Sequence, residues 1–516
     1  MSKSKVAAVI DIGSSAVRMQ ISQWDGRMVT PLDTLGKPTH TGKEVFSTGY
    51  ISFDTVRSLS AILEGFCEKA REYGITTVYA IASTAMREAS NQVYILDHIL
   101  TRNRLDVHVL EDTEVSALVI GALKNGTDLP ADRKLFVYGG TGTTDFELHS
   151  NGMLVLVHSL KTGLLKMSEM LKEAAEFSRH IDNMAEEYVN TYLIREKRIQ
   201  DLYDADAIIF GAGDLEPLRK LLGIQTEGAV ICIQRDKLLE LYESCRPFST
   251  SQICHQYGLP EQQGDILYAM LAALSALLRM TKAQKLVCTQ VSLANAMLDL
   301  ILTPGARRKY NANLRAGAIT SAHSLAGRYR CDMEHCDQVA MIATILFEKL
   351  KKRFGFLKNQ GILLNIACIL HESGYYTSCY DIQEASFDLV KNAHIYGLRS
   401  RETLLVANII TPQSLPGVSR NTPRVSALND EEVLFAAKMH AILRLSDNLD
   451  YSHRKKVKLL DVNLKDGSLI VDAAVDEDFT LEQWMFRESA SLFQEIFGIV
   501  PRLRIKNSYQ PEESGI

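Results

Sequence analysis

Apolar positions in the first 30 residues fall into two runs, "VAAVIDI" and "AVRMQISQW", joined by Gly13-Ser14-Ser15 and closed by a turn signal at Asp25-Gly26. The pattern predicts a hairpin of two buried strands. From Phe53 to Tyr73 the apolar spacing becomes helical, and "TTVYAIASTAMREA" then reads as a buried strand passing through Ser83-Thr84 into a helix. "LDVHVL" predicts another strand. "EDTEVSALVIGALKNG" predicts a helix that opens on Asp112, Thr113 and Glu114 and stops at Asn125-Gly126. Near residue 130 the pattern restarts: "KLFVYGGTGTTDFELHSNG" is strand, glycine turn, strand, with Asn151-Gly152 closing a second hairpin before "MLVLVHSL". Two hairpins of one construction, about 125 residues apart, predict a duplicated α/β unit.

A long helical stretch follows, then "AIIFGAGDLEPLRKLLG", a buried strand whose glycine turn opens a helix, and "KLVCTQVSLANAMLDLIL" before Pro304. From Asn311 to about Ser452 the periodicity is almost wholly helical. The tail changes again: "KVKLLDVNLKDGSLIVDAAV" alternates as a strand pair, Leu481 to Phe497 reads as a helix, and "PRLRIKN" as a last strand. The expected organisation is an α/β unit over 1–130, a second over 131–305, a helical domain over 306–455 and a small α+β unit over 456–516.

A length of 516 residues exceeds what one core serves and predicts three or four compact units. The net charge of -5 offers no global attraction to nucleic acid or to an anionic membrane. The runs "RKKVK", "KLKKR" and "ARRK" are either solvated faces or the lining of a path for a long anion. The most apolar segment, "ILYAMLAALSALL", is shorter than the roughly 20 residues a membrane span needs. No signal peptide is recognised at the N-terminus, so a cytoplasmic location is expected. Nine scattered cysteines predict reduced thiols, and "CDMEHC", with Cys331, His335 and Cys336, lacks the second pair of a zinc finger.

Chemistry concentrates at the turns. Asp11 ends a buried strand beside Gly13, Ser14 and Ser15, a set able to hold a magnesium ion and offer N–H and hydroxyl donors to phosphate. The second copy, Gly140, Thr141, Gly142, Thr143 and Thr144, has the glycines that let a phosphate approach the backbone; a tight turn or bulge is the alternative. Arg87 stands near a strand-to-helix turn, as a phosphate fork or a surface arginine. Glu114 is either a helix cap or a general base for an attacking water.

The ordered motifs "AAVIDIGSSAVRM", "AIASTAMREASN", "VLEDTEVSALVIGAL", "YGGTGTTDFEL", "HSLKTGLLKM" and "IIFGAGDLEPL" resemble the exopolyphosphatase and guanosine pentaphosphate phosphatase family over nearly the whole chain. The resemblance implies two actin-like, ribonuclease-H-type α/β domains followed by an all-α HD-like domain with the small α+β unit. It implies removal of a terminal phosphate from inorganic polyphosphate or a guanosine polyphosphate, with Mg²⁺ or Mn²⁺, in a homodimer. Asp11 then matches the first-loop aspartate, Arg87 the arginine of the Ala-Thr-x-x-x-Arg pattern, and Glu114 the catalytic glutamate if one residue is deleted before it. Asp145 takes the place of the glutamate after the Ser-Thr pair and joins Asp11 as a metal ligand.

Two positions depart from that pattern. Tyr138 stands where the second loop has an aspartate, and a phenol with a pKa of about 10 carries no charge at pH 7. "SLANAML", with Ala294-Asn295-Ala296, replaces Gly-Leu-Arg-Glu-Gly. They keep open the alternative of a catalytically impaired protein that binds polyphosphate or a guanosine polyphosphate. In the helical domain, "LHESGYY" and "LRLSDNLD" resemble the HD pattern and nominate His335, His371, Glu372 and Asp447. An HD-like fold without a second active site is the expectation there.

Overall fold

The computed structural model describes residues 5–126, 129–160, 162–175, 204–224, 230–378, 380–411, 428–465 and 467–507, with positions 187 and 191. The chain divides into two compact units, 1–314 and 315–516. The division falls inside the helix Ala306–Arg328.

The first unit contains two sheets. In the first, β1 (Lys5–Ile12), β2 (Ala16–Trp24), β3 (Val29–Pro38), β4 (Val78–Ala82) and β5 (Val107–Val109) lie in the order β3-β2-β1-β4-β5. β1 to β3 form an antiparallel meander, and β4 and β5 add parallel to β1. In the second, β6 (Arg133–Gly139), β7 (Thr144–Ser150), β8 (Met153–Leu160), β9 (Ala207–Ala212) and β11 (Lys285–Gln290) repeat that order, and β10 (Val230–Gln234) adds antiparallel outside β11. The duplication expected from the two hairpins is therefore a duplication of whole sheets.

β1 shows why its sequence is continuously apolar. Ala8, Ile10 and Ile12 enter one core, with Leu59, Leu63 and Phe66 of the helix Phe53–Glu72. Ala7 and Val9 enter another, with Val119, Phe136, Ile209 and Leu298. A strand covered on both faces has no polar alternation to show. β3 escaped the sequence reading because it is an edge strand, half-buried at best, with the composition of a loop. β10 is short and alternates buried with exposed.

The second unit is led by the helices Met333–Phe354, Gly361–Leu370, Ile382–Lys391, Ser400–Ile410 and Asp430–Asp447. β12 (Val457–Lys465), β13 (Ser468–Val475) and β14 (Val500–Asn507) form a three-stranded sheet with the helix Thr480–Phe497. Val462, Val471, Phe486 and Phe493 share one core with Val339, Phe347, Ile366 and Ile442, so the tail and the helices are stabilised together. No helix among the described residues is long and apolar enough to cross a membrane.

Candidate functional site

The two glycine turns of the first unit are built alike. Gly13 N donates to Ala16 O at 3.0 Å, and Gly140 N donates to Thr143 O at 2.9 Å. This superposes Asp11 on Tyr138 and Ser14 on Thr141. The hydroxyls of that second pair meet, with Ser14 Oγ 3.2 Å from Thr141 Oγ1. The fold thus brings the two predicted loops face to face at equivalent positions.

The carboxylate has changed strands between the copies. In the first hairpin Asp11 on β1 faces Arg18 on β2; in the second, Tyr138 on β6 faces Asp145 on β7. Burial pushes Asp11 up to about 6, against the Arg18 charge, and pushes Asp145 up to about 7, against hydroxyls of Ser159 and Thr143. Thr143 Oγ1 donates to Asp145 Oδ2 at 3.1 Å. The other oxygens, Asp11 Oδ1 and Asp145 Oδ1, are buried with no hydrogen-bond partner. Such oxygens suit a hard divalent cation. Burial, then the neighbouring Asp11 and Asp145 charges, hold Tyr138 above its ordinary value, so it is a neutral phenol near both acids. Neither Asp11 nor Asp145 belongs to a group of three or more convergent histidine, cysteine or acid side chains among the described residues.

The glycines of the second turn answer to packing. A Cβ on Gly142 would lie 2.2 Å from Thr84 Cγ2, and one on Gly163 2.5 Å from Gly142 N. Leu164 N and Lys166 N, opening the helix Leu164–Ala175, already cap the carbonyls of Gly140 and Thr141. Thr144 Oγ1 donates to Thr162 O at 2.7 Å. The first turn is tied similarly, with Thr41 Oγ1 donating to Gly13 O and Ser14 O. Ser15 donates nothing from its side chain in these bonds; its carbonyl accepts from Thr39 N at 3.0 Å.

Arg87 and Glu114 have protein partners. Arg87 donates to Leu110 O at 2.7 Å and to the carboxylate of Asp112, so part of its fork is engaged. Glu114 Oε2 accepts from Glu111 N at 3.1 Å, the local cap expected of an acid in a first turn. Ala294 and Ala296, in the helix Leu293–Leu302, are buried in the core that holds Val9 and Val115. A cavity of about 440 Å³ opens elsewhere on this unit, beside Lys124, Lys134, His149 and Lys309. It includes none of the predicted phosphate-binding residues.

In the second unit, the four HD-like candidates come together. His335 and His371 each present Nε2 to Asp447 Oδ1, at 3.3 Å and 3.6 Å. Glu372 lies beside His453, which sequence reasoning missed; its only signal was proximity, six residues beyond Asp447. Burial alone would lower His335, but Asp447 and Asp450 outweigh it and push the imidazole up to about 10. Burial would raise Asp447, but His335, His371 and Arg444 hold it well below the carboxylate range.

A sequence model of the Ppx/GppA phosphatase family matches residues 21–303, and a model of that family's domain III matches residues 319–488. The chain belongs to the Ppx/GppA phosphatase family. Two solved structures with TM-scores of 0.51 agree on the fold. An exopolyphosphatase from Cytophaga hutchinsonii is 16% identical, covers 58% of this chain and 98% of its own, and superposes with a TM-score of 0.51. An exopolyphosphatase-like protein is 17% identical, with 60% and 100% covered and a TM-score of 0.51. A Ppx/GppA family member from Aquifex aeolicus is 17% identical, with 60% and 99% covered and a TM-score of 0.49. Membership of the Ppx/GppA family makes the chain, at the coarse level, a phosphate hydrolase with actin-like domains.

Proposed function

We propose that this phosphatase releases terminal phosphate from inorganic polyphosphate, with guanosine pentaphosphate as a further candidate substrate. The observation that carries the reading is the meeting of the equivalent turns, Ser14 on Thr141, beside two buried carboxylates that each keep an oxygen unpaired. Asp11 and Asp145 would hold Mg²⁺ or Mn²⁺, completed by hydroxyls and water; the ion would neutralise charge developing on the phosphate. Ser14, Ser15, Thr141 and Thr143, with the backbone of Gly142 and Thr144, would receive the anion, while Gly13 and Gly140, whose N–H groups bond Ala16 O and Thr143 O, would hold the turns in shape. Glu114 would leave its cap at Glu111 N to orient the attacking water, and Arg87 would turn from Asp112 toward the leaving chain. Phosphoryl transfer needs little more than positioning and charge, which such groups supply. A homodimer in the cytoplasm, binding neither nucleic acid nor membrane, belongs to the same reading.

A second reading is favoured by Tyr138. A neutral phenol at the position equivalent to Asp11, with two alanines buried at positions 294 and 296, suits a protein that binds the same anion without turning it over. Phosphate release from long-chain polyphosphate with Mg²⁺ or Mn²⁺ separates them. Release that is abolished in Glu114→Gln supports the hydrolase. Tight binding without release, with turnover appearing in Tyr138→Asp, supports the binder.

A further inference from the structure

The first unit contains a cavity that the chemistry of the glycine turns does not use. We propose that this cavity, of about 440 Å³, is a binding site for a free amino acid, a small zwitterion with an apolar side chain. The side chain of the ligand packs on Leu118, Phe136 and Leu300, its carboxylate meets Lys134 and Lys309, and its ammonium meets Asp299.

Four elements wall the cavity. The helix Asp112–Gly126 contributes Leu118, Gly121 and Lys124, and β6 contributes Lys134 and Phe136. The helices Leu293–Leu302 and Ala306–Arg328 contribute Asp299, Leu300 and Lys309. The first two elements carry the predicted site at their other ends. Lys124 stands ten positions beyond Glu114, about 15 Å along a helix, and Lys134 four positions before Tyr138, about 13 Å along a strand. A ligand in the cavity is therefore clear of the turns. Its volume falls within the roughly 300–1,000 Å³ of small-molecule sites, and apolar walls with a few polar groups are what such sites present.

Charge decides the class of ligand. Lys124 and His149 are already engaged, since both bond Oε2 of the buried Glu147, His149 at 3.0 Å. Both also lie against Phe136, with Lys124 Nζ 5.9 Å and the His149 ring centroid 5.4 Å from its centre. Two lysines and two aspartates are left over. Lys309 Nζ donates to a neutral amide, Asn125 Oδ1 at 3.2 Å, and has no ion pair among the described residues. The side chains of Lys134, Asp132 and Asp299 have no hydrogen-bond or ion-pair partner among them. Partial burial raises the Asp299 carboxyl above its ordinary value, with no cation close enough to offset it. A phosphate or a simple carboxylate would satisfy the lysines and be repelled by the aspartates, and a simple amine would do the reverse. A ligand with one charge of each sign and an apolar body satisfies both signs and the wall between them.

The test is calorimetric titration of the full chain with L-leucine and with L-phenylalanine. At least one is expected to bind at a single site with a Kd of about 1 mM or tighter. Asp299→Asn and Lys309→Gln should each weaken binding by about tenfold, since each removes one charged partner. Gly121→Leu should abolish it. Gly121 lines the cavity from within a helix, and a Cβ there meets nothing within 4 Å, so the longer side chain fills the space without displacing its neighbours. Asp145→Asn should leave binding unchanged, which separates the cavity from the turns. Circular dichroism identifies any variant that has unfolded; Asp299 and Lys309 are exposed, so their variants are expected to stay folded and to decide the case alone if Gly121→Leu does not. No heat from either amino acid, or binding indifferent to Asp299→Asn and Lys309→Gln, overturns the assignment. So does equal binding of N-acetyl-L-leucine and N-acetyl-L-phenylalanine, which lack the ammonium.

Discussion

Replacing Asp145 with asparagine keeps the shape of the side chain and an acceptor for Thr143, while removing a charge opposed only by hydroxyls. Burial moves this carboxyl from its ordinary 3.8 to about 7, so the folded chain holds the proton more tightly than the unfolded chain. Stability from that proton is fully present below the ordinary value and is lost as pH rises through about 7. A shift of that size corresponds to about 4 kcal/mol at pH 8, of which about 3 kcal/mol is lost between pH 5 and pH 8. Asp11 titrates over part of the same range but cancels when native and Asp145→Asn proteins are compared. The expected result, without divalent cation, is a variant whose advantage over the native protein grows by about 3 kcal/mol from pH 5 to pH 8. The assay is urea unfolding in a Trp484→Phe background, which leaves Trp24, packed against the first unit, as the one tryptophan. Under the proposed metal site, Mg²⁺ should raise native stability at pH 8 and leave the variant unmoved. A variant less stable than the native protein at pH 8, or an advantage independent of pH, would refute the reasoning.

Gly142→Ala should place a methyl group 2.2 Å from Thr84 Cγ2 and cost ~1–3 kcal/mol by overpacking, read as a lowered midpoint in the same unfolding assay. The companion Gly142→Ala/Thr84→Ser should recover only part of that loss, because the nearest clashing methyl is gone while the Thr84 Oγ1 and Cβ positions stay 2.9 Å and 3.0 Å from the new methyl. In the second unit, Glu482 is fully buried, accepts from Lys456 Nζ at 3.0 Å and is bonded to Ser452 Oγ. Glu482→Ala strands the buried ammonium and should cost ~3–5 kcal/mol, measured by Trp484 fluorescence on unfolding.

The strands that carry the two glycine turns were legible because both their faces are covered. β1, β6 and β9 are unbroken apolar runs ending at glycine turns, a pattern that a single sequence displays directly. β3 was not legible, since an exposed edge has no burial to record in its residues. Glycine richness in the second turn pointed to a phosphate cradle, yet Thr84 and Gly163 occupy the space that Gly142 leaves. Arg87 was nominated as a phosphate fork without sign that Asp112, 25 residues later, would take part of it. The motif match located His335, His371, Glu372 and Asp447 but gave no reason to include His453, whose place depends on a left-handed turn after Asp450.

By itself, the sequence determined the order of the covered strands and of the main helices, the duplicated hairpins and the turns at Gly13 and Gly140, because periodicity and backbone freedom are local properties. It also carried the family membership, through motifs in a fixed order. Tertiary structure alone decided that Ser14 would meet Thr141, that Asp145 would keep a buried oxygen unpaired, and that the imidazoles of His335 and His371 would turn their Nε2 atoms toward Asp447. Those outcomes depend on distances between residues far apart in the chain, and they are set by how whole sheets and helices pack.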